Sequence, residues 1–346
     1  ADLAMAHEET LASLPLDSLI HSLVHCLTID SVPDIPLYAI ISITNIIDSV
    51  PSVIGLLVSA GAVSLLNSKL MNFEFVDMAE HSIKCLEKIS YENAPVILKE
   101  GAFESMTMTL EFFELETQKK IMIVGCNIAK SLSELSSFKE HVAPVIPTFA
   151  GMLGFRGQDY IAQNERVLEF FMLLSESLVR VAENESDPLG VLFEIVSHQE
   201  IQTNLIQLIS NAPSLLPKAF RLFHVLCKYS VSMCNCFLAH RGTEIISDTL
   251  SSNSQSSNMV EALNLLDAIL PGSTQHEKLR NFHANYIQTI CQMILPRIIS
   301  IYENFIDKSA KNTVLSILEK LLTVSPSEVT TQYVVLENKN QKLRNR

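Results

Sequence analysis

Tryptophan is absent from these 346 residues, glycine is held to 10 and aromatic residues to 7% of the chain. There is no Gly-rich phosphate loop, no G-x-S-x-G turn and no Cys/His dyad at a recognisable turn, so the motif-bearing nucleotide and acyl-transfer chemistries are excluded and no catalytic residue is expected. Positive charge is scarce: 25 Lys and Arg face 38 Asp and Glu, a formal charge of −13. Proteins that wrap a phosphate backbone carry a basic stripe, so no nucleic-acid partner is expected. Long apolar runs are also missing. Although 48% of residues are hydrophobic, polar residues return every few positions, short of the ~18 apolar residues of a membrane helix, and no membrane partner is expected. The opening ADLAMAHEET lacks an initiating Met and a signal h-region, and the chain ends in the polar run ENKNQKLRNR. An excised piece of a longer protein is the expectation.

Seven cysteines (Cys26, Cys85, Cys126, Cys227, Cys234, Cys236 and Cys291) are odd in number and scattered. That usage suits a reducing compartment, cytosol or nucleus, rather than a disulfide framework. Cys234 and Cys236 form a C-x-C pair with no second ligand pair at metal-binding spacing, which favours core packing. His21 and His25 stand at i and i+4, but no further ligand completes a zinc site. Neither a metal nor a cofactor is expected.

What the chain does contain is a repeat. VSAGAVSLLNSKL at 58–70 and LKEGAFESMTMTL at 98–110 share a Gly, an Ala and a large apolar residue ahead of an amphipathic run, with Gly61 and Gly101 separated by 40 residues. Armadillo and HEAT units recur at roughly 40–47 residues. In VDMAEHSIKCLEKIS at 76–90, Ala79, Ile83, Leu86 and Ile89 fall on one helical stripe. Asp77 is placed to N-cap that helix, with Glu80 completing a capping box. A short helix is expected from near Pro95, stopped by a left-handed Gly101, followed by a medium and a long helix. Each unit leaves an apolar face that only its neighbours can cover. The fold expected is therefore all-α, an armadillo/HEAT-like right-handed α-solenoid or superhelix. Repeats are expected over 1–250, regular over 13–185 and irregular over 186–250. A flexible Ser/Asn-rich loop is expected at 251–258, a helical continuation over 259–325 and a polar tail over 326–346.

DMAEHSIKCLEKIS followed by KEGAF and LEFF, with NLLDAILP, ILPRIISIYENF and NTVLSILEKLL further on, resembles the armadillo region of HECT-type E3 ubiquitin ligases of the ubiquitin-fusion-degradation class. The similarity runs in order from about Pro33 to Leu322 and is strongest over 33–130. The resemblance implies a ubiquitin-protein ligase acting in protein degradation. Nothing here resembles a HECT catalytic domain with its thioester-forming cysteine, so an E2 enzyme would be engaged only through a domain that this chain lacks. What the resemblance leaves for these residues is a recognition arm for a degron-bearing substrate or a ubiquitin chain. The alternative is a non-catalytic scaffold or transport adaptor on the same repeats, since fold alone does not set function.

Armadillo grooves hold extended peptides through Asn side chains on the long helices, because an amide both donates to and accepts from a peptide backbone. Asn45 and Asn127 fit that position, with Lys88 between them. Ile41, Lys84 and Ile123 stand one turn earlier, where importin-like grooves place Trp. These six residues are the candidate peptide- or ubiquitin-binding groove, with Lys84 and Lys88 suited to a carboxylate. Bridging between neighbouring helices is the competing use of Asn45 and Asn127. Ten acidic residues between Glu74 and Glu116 face only Lys84, Lys88 and Lys99 as the notable cations of their helices, an excess that would steer a basic partner or merely solvate a helix face.

Overall fold

A computed structural model describes residues 15–71, 75–154, 157–182, 189–251, 256–270, 286–302, 308–324, 327 and 329–331. Among them the regular elements are all helical and no strand occurs. The chain divides into two compact units, Ala1–Asp187 and Pro188–Arg346.

In the first unit the order is α1 (Leu16–Cys26), α2 (Asp34–Ser49), α3 (Ile54–Ser59), α4 (Ala62–Leu70), α5 (Val76–Lys99), α6 (Ala102–Met108), α7 (Leu115–Ser131), α8 (Ile146–Met152) and α9 (Ile161–Ala182). Short α- and π-helical turns over Leu135–Ser137 and Phe138–Val142 precede α8. Helix α5 is two helices joined at a kink: Asn93 leaves helical geometry at φ −127° and ψ 35°, two residues before Pro95. Proline offers no N–H to the preceding turn and its ring crowds that turn, so the long helix ends there and the next repeat's short helix begins.

The recurring Gly-Ala-apolar motif has a direct structural cause. Gly61 and Gly101 adopt left-handed φ values of 77° and 71°, a conformation that costs a Cβ-bearing residue roughly 1–2 kcal/mol. Each N–H closes the outgoing helix, onto Val58 and Leu98 carbonyls at 3.1 Å. The chain then turns at once into α4 or α6, and Ala62, Val63, Ala102 and Phe103 bury in the core. Asp77 does not cap α5 as expected. The helix starts at Val76 with no side-chain cap bond, which leaves Asp77 as its second residue. There its charge still complements the helix dipole. Glu80 does not reach back either; it accepts a bond from Thr117 Oγ1 of α7 at 3.2 Å.

The long helices α2, α5, α7 and α9 pack each against the next. Ile43, Ile83, Leu86 and Ile121 are wholly buried between them, as the 3.6-residue stripe requires. Phe103, Phe149 and Phe170 form a chain of ring contacts with centroids 5.7 and 4.5 Å apart. Gly125, in the middle of α7, makes room for them. A Cβ there would meet the Phe149 ring at 3.0 Å and Phe103 at 3.3 Å.

The second unit repeats the triplet. It contains α10 (Leu189–Val196), α11 (Gln199–Asn211), α12 (Leu216–Tyr229), α13 (Val231–Ala239), α14 (Gly242–Ser251), α15 (Ser256–Ile269), α16 (Leu295–Tyr302) and α17 (Lys308–Val324). Its long helices α12, α15 and α17 again pack in succession. Ser230 caps α13, its Oγ accepting the Met233 N–H at 3.1 Å, the usual role of a Ser just ahead of a helix. Across 251–258, helix runs through Ser251 and resumes at Ser256, and residues 252–255 lie outside the described residues. So do the polar connection at 272–282 and most of the tail at 326–346.

Candidate functional site

The six groove residues lie on three successive long helices of the first unit: Ile41 and Asn45 on α2, Lys84 and Lys88 on α5, Ile123 and Asn127 on α7. All six are half-buried. The i, i+4 spacing sets each pair on one helical face, and the packing of α2 on α5 and of α5 on α7 sets the three pairs side by side.

Adjacent helices are cross-linked along this face. Lys88 Nζ forms an ion pair with Asp48 of α2. Asn127 Nδ2 donates to Ser90 Oγ of α5 at 2.8 Å, which leaves its carbonyl oxygen as a possible acceptor. For these two residues the bridging use is therefore realised. Asn45 and Lys84 differ. The structure gives the Asn45 side chain no hydrogen bond, and Lys84 no ion pair, among the described residues. Lys84 does act on its neighbour: burial first, and then the Lys84 charge, hold the His81 imidazolium below its ordinary pKa. Ile41 and Ile123, each one turn before an asparagine, are half-buried apolar residues.

Sequence alignment missed the partners because the bonds step across the register. Asp48 lies three residues past Asn45, and Ser90 two past Lys88, so a comparison of equivalent columns never pairs them. Tyr91 was missed as well. It is 61% exposed at the end of the same face and its hydroxyl donates to Glu87 Oε1 at 2.8 Å. Partial burial, followed by that bond, raises its pKa. Further along, Arg166 and Glu169 of α9 form an exposed ion pair at 2.6 Å.

The thiols offer no nucleophile on this face. Burial pushes Cys85 and Cys126 up to about 12. Cys227 is raised by burial and by the Cys234 thiol beside it. A reactive cysteine needs the opposite shift. Cys234 is buried as expected, whereas Cys236 and Cys26 are only half-buried. The Cys236 sulfur lies 3.6 Å from His240 Nδ1, and its own pKa is raised by burial. His21 is exposed and its Nδ1 lies 2.7 Å from the Asp17 carbonyl oxygen. Among the described residues no group of three or more His, Cys, Asp or Glu is placed to hold a metal ion. No single helix there is long and apolar enough to cross a membrane.

A family profile described as "E3 ubiquitin-protein ligase TRIP12-like, TPR repeats" matches residues 2–99. E3 ubiquitin-protein ligase UPL3 of Arabidopsis thaliana is 25% identical over 387 aligned positions, covering 94% of this chain and 20% of that protein. E3 ubiquitin-protein ligase TRIP12 of Danio rerio is 26% identical over 253 positions, covering 72% of this chain and 12% of that protein. The chain thus spans a fifth or less of the length of these two relatives. A solved structure concerning a phosphorylation switch in the interaction between cadherin and beta-catenin superposes with a TM-score of 0.66 at 13% identity, covering 93% of this chain and 63% of that one. Armadillo repeat proteins computationally designed for modular peptide recognition give 0.56 at 14% identity, over 72% of this chain and 99% of the designed one. At such identities the structural likeness shows the fold alone, an all-α solenoid of the armadillo kind. The sequence likeness goes further: over most of its length the chain is similar to the repeat region of TRIP12/UPL-type E3 ubiquitin-protein ligases.

Proposed function

We propose that the chain is the recognition arm of a HECT-type E3 ubiquitin-protein ligase working in ubiquitin-dependent protein degradation, in the cytosol or nucleus. Its ligand is the protein to be modified, a degron-bearing substrate or an already attached ubiquitin chain, held on the long-helix face of the first unit. An E2 enzyme would be engaged elsewhere in a longer protein, through a HECT domain.

The observation that carries this reading is the face itself. Successive long helices present a half-buried polar residue at one equivalent position, Asn45, Lys88 and Asn127, which is what a ligand with a repeating backbone needs. The Lys88–Asp48 and Asn127–Ser90 links hold neighbouring helices in register, so the face is organised before a ligand arrives. Asn45 keeps donor and acceptor capacity, Asn127 keeps an acceptor, and Lys84 supplies a cation without a competing ion pair among the described residues. An extended peptide with a carboxylate, or an acidic patch on a folded partner, satisfies all three.

Titration of ubiquitin chains and of a carboxylate-bearing degron peptide against the chain tests the proposal. The Lys84→Ser/Lys88→Ser double variant should keep its helicity and lose about 1–3 kcal/mol of binding. The Lys84→Ser single variant should account for most of the loss, because Lys88 is already engaged by Asp48. Unchanged affinity, with cross-links mapping to the short and medium helices, would remove the face from the proposal. The isolated chain should also form no ubiquitin thioester. A reducible ubiquitin adduct that disappears on mutation of one of its cysteines would defeat that part.

A further inference from the structure

The long helices of the second unit carry a polar row of their own, and the bonds along it leave its centre unsatisfied. At one end, Arg221 of α12 donates from Nε and Nη2 to Glu261 Oε1 of α15 at 3.3 and 3.1 Å. Six residues further along α15, Asp267 accepts from Lys320 Nζ of α17 at 2.9 Å and from Ser316 Oγ at 2.7 Å. Between these two sets, Asn264 Oδ1 accepts from Thr313 Oγ1 at 3.3 Å, which leaves its two amide hydrogens to donate.

His224 stands at this centre. It lies one turn past Arg221 on α12, as Asn264 lies one turn past Glu261 on α15, and the Arg221–Glu261 bonds hold the two helices in that register. The charges of Lys228 on its own helix, of Glu261 and Asp267 on α15 and of Lys320 on α17 all act on the imidazole. None of them hydrogen-bonds to it, and the ring has no hydrogen-bond partner among the described residues. Lys228 is exposed, with its Nζ 5.2 Å from the centroid of the Tyr229 ring and no ion pair among the described residues. The carboxylates of the row are thus engaged, and so are the cations paired with them. What remains is the His224 ring, the Asn264 amide hydrogens and the Lys228 ammonium. Two N–H donor groups beside a cation complement an anionic acceptor, and a carboxylate supplies one with two oxygens to share among them.

We propose that His224, Asn264 and Lys228 form a second binding site, which takes the carboxylate of an Asp or Glu in an acidic segment of a partner protein. The site lies wholly within the second unit and does not depend on the long-helix face of the first unit binding a substrate. Without a ligand, burial and then the Lys228 charge hold the imidazolium below its ordinary pKa. A carboxylate beside the ring opposes both, so the imidazolium is more stable in the complex and binding is accompanied by proton uptake. Affinity therefore rises as pH falls from the bound pKa of His224 towards its lower free value, where the carboxylate of the ligand is still ionised.

The test uses the whole chain and a synthetic ten-residue peptide alternating Glu and Ser, with Gln-for-Glu and phosphoserine-for-Glu counterparts. Binding is followed by the His224 ring signals in NMR, assigned by their loss in His224→Gln. The Glu peptide should shift these signals and raise the pH at which they titrate by at least about 0.5, which corresponds to binding about threefold tighter below both titration points than above them. The Gln peptide should do neither. Lys228→Ser, whose side chain is exposed, should keep native circular dichroism and weaken the Glu-peptide titration by about tenfold. Lys84→Ser, in the first unit, should leave the His224 response unchanged, so failure of the ligase reading and failure of this one are distinguishable. No response of His224, a response without the rise in its titration, an equal response to the Gln peptide, or an affinity indifferent to Lys228→Ser would overturn the proposal. So would a response to the phosphoserine peptide alone, or self-association in sedimentation that Lys228→Ser abolishes, because a phosphate or a second copy of this chain would then be the occupant.

Discussion

The two units make the same turn in different ways. In the first, a glycine takes the left-handed position at the start of the medium helix and an alanine follows it into the core, at Gly61-Ala62 and Gly101-Ala102. In the second, the left-handed residue is Arg241, at φ 64°, and the glycine comes one place later at Gly242. The cause is local packing. A Cβ on Gly242 would stand 2.4 Å from the Phe237 ring and 2.6 Å from the Phe237 carbonyl oxygen, so the position that holds Ala62 or Ala102 in the first unit has no room for a methyl group here. Once glycine is needed for space at Gly242, the conformational strain falls on Arg241. One turn geometry thus places two demands on neighbouring residues, and each unit meets a different one with its glycine.

The largest test of this comparison is Gly242→Ala, which should destabilise the second unit by about 3 kcal/mol in urea titration, since a carbonyl as well as a ring must move. Gly125→Ala should cost about 1–2 kcal/mol, because only the Phe149 and Phe103 rings need shift by a few tenths of an ångström. If the two substitutions cost the same, steric room is not what separates the glycines.

The left-handed positions come next. Gly101→Ala should lose about 1 kcal/mol from backbone conformation alone, since the nearest atom to its Cβ is Asn67 Nδ2 at 3.9 Å. Arg241→Gly should do the reverse and gain about 0.5–1 kcal/mol in melting or urea experiments. The Arg241–Glu244 ion pair that it removes is 3.6 Å long and its arginine is largely exposed, a pair of little worth. A destabilised Arg241→Gly would mean that the arginine is held by something other than the turn.

Smaller effects separate the units by pH. His81 in the first unit and His224 in the second both have lowered pKa values, burial being the leading cause and a nearby lysine the next. A histidine held below its unfolded pKa binds fewer protons folded than unfolded, so its contribution to stability is present above the unfolded value near 6.5 and is lost as pH falls from there through the lower folded value. His224 is the more deeply buried of the two, so His224→Asn should flatten the loss of stability between pH 7 and 5 more than His81→Asn does. Smallest of all, Lys88→Ser should cost between about 0 and 1 kcal/mol of stability, because Asp48 is half-exposed and solvent compensates it.

Much of the repeat was legible in the residues. The stripe of Ala79, Ile83, Leu86 and Ile89, the stop at Gly101 and the break ahead of Pro95 are local signals, each set by helical period or by the backbone of one residue type. The candidate face was legible only as a list of positions. Asn127 and Lys88 are bonded to Ser90 and Asp48, 37 and 40 residues away, and no local pattern encodes which of several polar neighbours a long side chain will meet. The N-cap assigned to Asp77 failed for a related reason: Val76 is already helical, and Thr117 on the next helix takes up the Glu80 carboxylate that a capping box would have used.

The sequence by itself determined that this chain is helical, that its helices come in triplets and that it is similar to the repeat region of TRIP12/UPL-type ligases. Those properties reside in periodicity and in ordered similarity along the chain, and need no knowledge of what touches what. Only the tertiary structure decided which glycine serves the turn and which makes room for a phenylalanine, and which lysine of the face is already engaged. The glycines answer to rings that fold back onto them from other helices, and the Lys88–Asp48 pair joins residues 40 apart, which only the stacking of successive units brings together.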